Sequence, residues 1–364
     1  MKIDHSKLFD IARNFYSLIP YNYGNGKALP PLRFSLELTY RCNLNCPYCY
    51  VGDCRKKEEL STQEWLRIIE QVSEWGLITL VGGEPLVRKD FSEIFLKSIQ
   101  QVQGRVNVVS NGILLDEQML KMFIDNKLLL LSVSIDGYGN NHDINRDRKG
   151  LFELVVNNLE TFKRLKHKKT HPLLDIKTII LKNNLDDMVK LYKLCEELNA
   201  DFLSLAFLRN NNLKQSSILR GNFGEEFYQQ EYPVEQYFDL EHFEEVYKEL
   251  KSLSKSGKTK IRFAPKFDFD KDYEQIRTFF SSNKPIDKTY KPCLYPWSNT
   301  LITPEGDVYP CLSYKIGNVK DKNFMEVWNA PHFRCFRKNL KARKVFNACQ
   351  MCCELTPTLN KEGK

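Results

Sequence analysis

The residues best suited to chemistry are three cysteines spaced C-x3-C-x2-C: Cys42, Cys46 and Cys49. Iron–sulfur clusters are held by cysteine thiolates, normally four for each cluster. Three thiolates at this spacing can bind three irons of a four-iron cube and leave the fourth iron open to a small molecule. Structural zinc, a redox thiol pair and a chance spacing are the alternatives. Zinc sites usually pair two such short units, and no second unit follows nearby.

The other cysteines and the N-terminus indicate the compartment. The chain has 11 cysteines among 364 residues, and its first residues lack the apolar core and cleavage site of a signal peptide. No stretch approaches the roughly 18 apolar residues that a membrane helix needs. We therefore expect a cytoplasmic protein with no transmembrane segment, whose cysteines bind metal rather than form disulfides.

Composition and charge exclude few functions. Hydrophobic content of 42% and charged content of 27% are ordinary for a globular protein. The net charge of +8 is spread out, and the short basic clusters at 163–169 and 341–344 are typical of solvated helix faces. No motif of a dedicated nucleic-acid-binding protein is present, so nucleic acid is not expected as a partner.

Short apolar runs alternate with longer amphipathic ones between residues 34 and 253. The pattern predicts strands at 34–40, 77–81, 105–109, 129–135, 174–181 and 202–207. It predicts helices at 62–75, 91–102, 116–126, 152–165, 186–198 and 240–253. Six strand–helix repeats indicate an α/β fold with a parallel sheet and right-handed crossovers. In such folds the site lies at the C-terminal ends of the strands.

Four segments follow from this pattern. Residues 1–33 are a lead-in expected to pack under the barrel, 34–256 form the core, 257–290 are a linker, and 291–364 form a second module in which cysteine density rises again. Residues 208–239 are polar and rich in Asn and Gln, so we interpret them as a loop or lid.

The cysteine triad resembles that of the radical S-adenosylmethionine (radical SAM) enzymes, which also place an aromatic residue, here Tyr48, before the last cysteine. The resemblance implies a (β/α)6 partial TIM barrel. It also implies that the open iron binds the amino and carboxylate groups of SAM and reduces it to a 5′-deoxyadenosyl radical.

Two segments after the second and third strands match motifs of this family. Gly82, Gly83, Glu84 and Pro85 resemble its GGEP motif, which contacts the methionyl amino group; by themselves they would also suit an ordinary strand-to-helix turn. Glycine lets a backbone approach a ligand closely. Ser110 and Asn111 are similar to the segment that contacts the ribose.

The fourth strand ends in a segment similar to the family's SxDG motif, with Ser134 and Asp136. Arg146 lies twelve residues beyond Ser134, where the resemblance places an arginine that grips the SAM carboxylate through two charge-assisted bonds; a surface salt bridge is the alternative. We expect His142 to be structural rather than a proton shuttle. The exit of the fifth strand, 180–184, is expected to line the adenine pocket.

The C-terminal cysteines resemble the SPASM/Twitch auxiliary cluster domain. A β-hairpin around Pro304 and Gly306 would bring Cys293 and Cys311 together. With the later pair Cys349 and Cys352, they match the Twitch form, which holds one 4Fe–4S cluster; a zinc ribbon is the rival. The resemblance thus implies two 4Fe–4S clusters in all.

The four remaining cysteines have other expected roles. Cys353 could replace Cys352 as a ligand, whereas Cys335 is not assigned to either cluster. Cys195 is expected in the core. Cys54 is rejected as a fourth ligand of the triad, because SAM could not then chelate that cluster.

The sequence and its family resemblance are compatible with three functions. The first is radical modification of a ribosomally synthesised peptide by cross-linking, epimerisation or oxidation, although 33 residues before the core are too few for the leader-binding domain of many such enzymes. The second is a Twitch-type dehydrogenase or tailoring enzyme acting on a small molecule such as a sugar, cyclitol or cofactor precursor. The third is an iron–sulfur carrier or redox sensor. For an enzyme, the expected partners are a substrate and an electron donor such as flavodoxin or ferredoxin.

Overall fold

The computed structural model of the protein describes residues 5–49, 51, 58–167, 169–208, 239–267, 269, 273–281, 290–311, 315–320, 322–346, 349 and 352–356. Cys54 lies outside these residues. So does nearly all of the segment expected as a loop or lid, of which only its two end residues are described.

Ten strands form one sheet, and helices connect most of its parallel strands. The strands are β1 Arg33–Glu37, β2 Leu77–Val81, β3 Val106–Ser110, β4 Leu130–Ser134, β5 Leu173–Ile180, β6 Phe202–Phe207, β7 Lys260–Ala264, β8 Asn299–Ile302, β9 Asp307–Tyr309 and β10 Gly317–Asn318. The helices are α1 His5–Tyr23, α2 Thr62–Glu70, α3 Phe91–Gln101, α4 Glu117–Asp125, α5 Asn140–Arg146, α6 Leu151–Lys166, α7 Met188–Glu197, α8 Leu240–Ser254, α9 Glu274–Ser281, α10 Phe324–Trp328 and α11 Pro331–Arg343.

The first six strands lie side by side in chain order and are all parallel. Each is followed by at least one helix, as the sequence predicts, and the chain has the expected mixed α/β partial-barrel fold. Two of these helices begin with N-terminal caps that can be recognised in the sequence. Ser61 and Glu64 form a capping box before α2, and Asp116 accepts the Met119 backbone N–H at 2.8 Å before α4. Such a cap contributes about 1 kcal/mol.

A seventh parallel strand, β7, lies within the segment expected as a linker. It pairs with β6 over five residues and extends the barrel at that edge. Phe207 of β6 and Phe263 of β7 pack against Phe243 and Tyr247 of α8. Lys260 and Arg262 alternate with the apolar residues of this strand, so its sequence lacks the continuous apolar run of a strand buried on both faces.

The C-terminal module continues the same sheet beyond β1. β8 pairs with β1 in parallel, and β9 and β10 follow antiparallel, so the strand order is β10-β9-β8-β1-β2-β3-β4-β5-β6-β7. The predicted hairpin between β8 and β9 is present. Gly306, with a φ of +85°, closes its turn by donating to the Thr303 carbonyl at 2.9 Å.

The two faces of the sheet differ in chemistry. On β4 and β5, the fully buried Val133 and Ile176 lie on the face covered by helices, where Val133 and Val155 of α6 both border Gly112. Alternate residues such as Asp175 point to the opposite, concave face. Between β4 and β7 that face carries polar as well as apolar side chains.

Residues 5–33 contact the start of β8 and the segment just before it. The Leu32 backbone N–H donates to the Ser298 carbonyl at 2.8 Å, and Tyr21 of α1 packs edge-on against Trp297 with ring centroids 4.9 Å apart. The exposed residues of α1 include Phe15 and Ile19. Within the described ranges, no helix is both long enough and apolar enough to cross a membrane.

Candidate functional site

The cysteine loop begins where β1 ends, and Glu59 anchors its first residues. Thr39 Oγ1 donates to the two carboxylate oxygens of Glu59 at 2.7 and 2.9 Å, and the Tyr40 backbone N–H donates at 2.7 Å. The buried Arg88 guanidinium lies 3.7 Å from the same carboxylate and donates to the Leu38 carbonyl at 2.9 Å. These bonds fix the direction in which the chain enters the loop.

Gly82 and Gly83 bring the end of β2 against this entry. The Gly83 N–H donates to the Thr39 carbonyl at 2.7 Å, and the Glu84 N–H donates to the Arg41 carbonyl at 2.9 Å. A Cβ at Gly82 would lie 2.5 Å from the Thr39 carbonyl oxygen. The close approach that glycine permits here is therefore to the cysteine loop itself, which any larger residue would displace.

Glu84 joins the ends of β2 and β3 beneath the loop. Its carboxylate is fully buried and accepts the Asn111 backbone N–H at 2.7 Å, the Ser110 hydroxyl at 3.0 Å and the Leu86 N–H at 3.2 Å. Burial raises the pKa of Glu84 to about 7, against the lowering effect of these donors. Pro85 starts the short 3-10 turn that follows. Glu84 therefore positions Ser110 and Asn111.

The three cysteines of the triad are half-buried, and nitrogen donors lie beside two of them. Asn111 Nδ2 is 3.8 Å from Cys42 Sγ, and Arg146 Nη1 is 3.9 Å from Cys46 Sγ. Burial raises the pKa of the Cys46 thiol, and Arg146 opposes that rise. Donors next to sulfur favour the thiolate form and tune a bound cluster. This donor set fits an iron–sulfur cluster held by Cys42, Cys46 and Cys49.

Asp136 links the triad to β5. Its Oδ1 accepts the Ile179 backbone N–H at 2.7 Å, while its Oδ2 accepts the Tyr48 hydroxyl at 2.6 Å and lies 2.5 Å from Arg146 Nη2. The carboxylate is completely buried. Burial and the neighbouring Asp136 charge raise the pKa of Tyr48 well above its usual value. Asp136 therefore holds Tyr48 and Arg146 in place.

One N–H of the Arg146 guanidinium is left without a hydrogen-bond partner within the described part of the structure. Its Nε is buried and has no hydrogen-bond partner among the described residues, while the side chain is 13% exposed. Burial would lower the pKa of Arg146, but Asp136, Tyr48 and Cys46 together raise it, so the guanidinium stays charged. A buried unsatisfied N–H is costly, and an anionic ligand at this point would satisfy it. Ser134 lies half-buried at the end of β4, on the concave face.

His142 has the structural position that the sequence suggests. Its Nδ1 accepts the Asp136 backbone N–H at 3.0 Å, and burial, aided by the Arg146 charge, lowers its pKa to about 4. The exit of β5 lies alongside: Asn184 Nδ2 donates to the carbonyl of Asp136 at 3.1 Å, and Asn183 Nδ2 donates to Asn145 Oδ1 at 2.8 Å. These bonds join the segments after β4 and β5.

A second set of cysteines lies in the C-terminal module. Cys293, Cys311, Cys349 and Cys352 are all half-buried and pack against the core. Burial raises the pKa of the Cys293 thiol, and the nearby Cys349, Cys352 and Cys311 thiols raise it further. These electrostatic effects on Cys293 indicate that the four thiols lie close to one another. Four such thiols can hold a 4Fe–4S cluster or zinc.

The distances between the sulfurs distinguish a 4Fe–4S cluster from a single zinc ion. Across the described part of the chain, no three His, Cys, Asp or Glu side chains are gathered closely enough to hold a single metal ion. A zinc site needs four sulfurs each about 2.3 Å from one ion. In a four-iron cube each cysteine binds a different iron, so the sulfurs lie farther apart. The two kinds of site therefore differ in the separation of their sulfurs, and metal analysis of the protein distinguishes them.

The remaining described cysteines differ in exposure. Cys195 on α7 is fully buried, and burial raises the pKa of its thiol well above the usual value, as a core position predicts. Cys335 on α11 is exposed. Cys353 is half-buried beside Cys352, which keeps it within reach of the second set.

The contacts between core and module were not apparent from the sequence. The Tyr40 hydroxyl donates to Glu305 Oε2 at 3.1 Å, and the Leu60 backbone N–H donates to the Pro304 carbonyl at 2.7 Å. The hairpin turn therefore lies against the entry of the cysteine loop. These pairs follow no spacing rule, because their partners are brought together only by the pairing of β8 with β1. Glu59 follows none either, because its partners lie after β1 and after β2, which are brought together by the pairing of those two strands.

Two family models match the chain. The model of the radical SAM superfamily matches residues 36–195, and the model of SPASM, an iron–sulfur cluster-binding domain, matches residues 293–353. The first match includes the triad and the residues around it, and the second includes all four cysteines of the second set.

Solved structures have the same fold at low sequence identity. SuiB of Streptococcus suis bound to S-adenosylmethionine is 14% identical with a TM-score of 0.64, covering 86% of this chain and 69% of that one. SuiB bound to its precursor peptide SuiA is 15% identical with a TM-score of 0.63, covering 96% and 76%. The protein anSMEcpe with bound AdoMet and the Kp18Cys peptide is 20% identical with a TM-score of 0.60, covering 90% and 89%.

Proposed function

Because the chain belongs to the radical SAM superfamily and carries a C-terminal SPASM domain, we propose that it is a radical SAM enzyme that modifies a ribosomally synthesised peptide. A cluster on the triad, together with SAM, would supply reductive cleavage to a 5′-deoxyadenosyl radical, which abstracts hydrogen from the substrate. The product would be a cross-linked, epimerised or oxidised peptide.

One observation carries this proposal: the ends of β1 to β4 bring the triad, Asn111, Ser134 and Arg146 to one edge of the sheet. Cys42, Cys46 and Cys49 would hold the cluster, with Asn111 and Arg146 donating towards its sulfur ligands. Arg146 Nε would bind the SAM carboxylate beside Ser134. Glu84, Asp136 and Tyr48 would keep these groups oriented.

A peptide is the substrate class that the comparisons support. SuiB is described with its precursor peptide SuiA and anSMEcpe with the Kp18Cys peptide, and both share this fold. The concave face between β4 and β7 carries polar groups, among them Asp175 and Lys177, which suit hydrogen bonds and ion pairs with an extended peptide.

The second set of cysteines would hold one further 4Fe–4S cluster, giving two in all. The second set belongs to the module whose hairpin turn contacts the entry of the triad loop through Tyr40 and Glu305, and its proposed role is to take the electron left on the substrate after hydrogen abstraction. A flavodoxin or ferredoxin would supply the electron that starts turnover. Cysteines that bind clusters as thiolates, rather than forming disulfides, support a reducing, cytoplasmic compartment.

The test of function starts from the gene neighbourhood: an enzyme that modifies a peptide should be encoded beside a short open reading frame, and the peptide encoded there serves as the substrate. Anaerobically reconstituted enzyme, SAM and dithionite should form 5′-deoxyadenosine and change that peptide. A cross-link or oxidation removes two hydrogens, which mass spectrometry detects, and an epimerisation takes up deuterium from D2O. Formation of 5′-deoxyadenosine with no change in the peptide, while a small molecule from the same gene neighbourhood is converted, would contradict a peptide substrate.

Replacing Arg146 with alanine should weaken SAM binding roughly 10- to 150-fold, the equivalent of about 1.5–3 kcal/mol for a charge-assisted bond. Equilibrium binding of SAM to the reconstituted protein measures this change. Arg148→Ala is the matched control, because Arg148 is an exposed arginine two residues later. An unchanged affinity for SAM in Arg146→Ala, at wild-type iron content, would refute the assignment of this arginine.

A further inference from the structure

Lys177 of β5 lies on the concave face of the sheet. Its neighbours along the strand, Ile176 and Thr178, are buried on the helix face, whereas Lys177 itself is exposed. In the register of the parallel strands it lies between Ser134 of β4 and Ser204 of β6. A lysine is unusual in the middle of a parallel sheet, whose strands are normally apolar on both faces.

Lys177 has no hydrogen bond or ion pair with any part of the chain that the structure describes. The carboxylate two residues earlier on the same face, Asp175, has other partners. It accepts the Ser132 hydroxyl at 3.0 Å and the Ser204 hydroxyl at 2.6 Å, and it is only 2% exposed. The ammonium group of Lys177 is thus a positive charge on this face that Asp175 does not pair.

Arg262 adds a second positive charge to the same row. Through Ser204 it aligns with Lys177, two strands away, on β7. Strand spacing puts the two Cα atoms about 10 Å apart. The guanidinium carbon of Arg262 lies 3.2 Å from the centre of the Phe202 ring. This stacking uses the flat side of the guanidinium and directs its N–H donors along the edge of the plane.

Ser134, at one end of the row, is the last residue of β4, and ligands of such folds bind at the C-terminal ends of the strands. Lys177, Ser204 and Arg262 lie two or three residues before the ends of their own strands. The Ser134 end of the row lies on the side of β1 to β3, and the Arg262 end lies at the opposite edge of the sheet. We infer that Lys177 and Arg262 bind a carboxylate of the substrate, an acidic side chain or the C-terminus of a peptide. This inference rests on the proposed peptide substrate and makes it an acidic peptide.

The test measures binding and does not need turnover. The probes are a fluorescently labelled decapeptide with three glutamates and its counterpart with three glutamines, added to the reconstituted, SAM-bound protein and followed by fluorescence anisotropy. The glutamate peptide should bind about tenfold more tightly than the glutamine peptide, as expected for charge-assisted bonds. Lys177→Gln and Arg262→Gln should each lose most of this preference.

Two variants act as controls. Lys177→Arg keeps the charge and should retain the preference within about twofold. Arg164→Gln removes a cation that is 70% exposed on α6, on the outer side of the helices, and should change nothing. Equal affinity for the two peptides, an equal loss in Arg164→Gln, or a loss in Lys177→Arg as large as in Lys177→Gln would each overturn the site.

A parallel titration with SAM separates the two possible sources of the carboxylate. Lys177→Gln should bind SAM as the unchanged protein does. A tenfold loss of SAM affinity with peptide binding intact would mean that the cation binds the cofactor, and would overturn the proposal. If no peptide is modified although 5′-deoxyadenosine is formed, the proposed function fails while the peptide titration still decides the carboxylate site.

Discussion

Replacing Cys42, Cys46 and Cys49 together with alanine is expected to abolish formation of 5′-deoxyadenosine and to lower the iron content from about eight to about four atoms per chain. The reason is the separation of the two cysteine sets: the triad follows β1, whereas Cys311, Cys349 and Cys352 lie around Cys293 in the C-terminal module. Iron analysis and chromatography of 5′-deoxyadenosine after anaerobic reconstitution measure both effects.

Cys335→Ala is the matched control for this triple variant, because Cys335 is an exposed thiol outside both sets. It should keep about eight irons and full SAM cleavage. Two results would contradict the assignment: continued SAM cleavage in the triple variant, or one zinc per chain in place of the remaining four irons. The zinc result would mean that the second set forms a zinc ribbon.

The core of the fold was predictable because its sequence signals are local. Strands β2 and β6 have the predicted bounds, and the ends of β1, β3, β4 and β5 differ by one to three residues. The predicted helix at 62–75 is shorter in the structure and ends at Glu70. Apolar periodicity and caps such as Ser61 act within a few residues of chain, so they can be recognised without knowing the partners.

The features that the sequence did not indicate depend on distant pairing. β7 was overlooked because Lys260 and Arg262 interrupt its apolar pattern, and their concave-face position follows only from pairing with β6. The parallel pairing of β8 with β1 joins residues more than 260 positions apart. Local periodicity carries no information about such contacts, and they place Glu305 beside Tyr40.

The candidate site also has some features that the sequence predicted and others that it could not show. Its residue types and their order along the chain were predicted, and the structure brings the triad, Asn111 and Arg146 together. What the sequence could not show is how many of the polar groups bind protein rather than ligand. Glu84 and Asp136 are fully buried and engaged with backbone and side-chain donors. They are therefore positioning residues for the groups expected to contact SAM.

Replacing Cys349 and Cys352 with alanine is expected to leave 5′-deoxyadenosine formation detectable while modification of the peptide falls below detection. The triad follows β1 and has Asn111 and Arg146 as its donors, whereas this pair belongs to the C-terminal module with Cys293, so cleavage of SAM should persist. Loss of two of four thiolates should remove the second cluster, and with it the acceptor for the substrate electron. Mass spectrometry of the peptide and chromatography of 5′-deoxyadenosine in one reaction measure both.

A bound cluster can also hold its module folded, and this module shares the sheet through the pairing of β8 with β1. The double variant must therefore first show about four irons and an unchanged circular dichroism spectrum. Cys353→Ala alone is the matched control and should keep full activity if Cys352 is the ligand. Complete modification of the peptide by a folded double variant would mean that the second cluster neither accepts an electron nor anchors substrate, and the proposed mechanism would fail at that step.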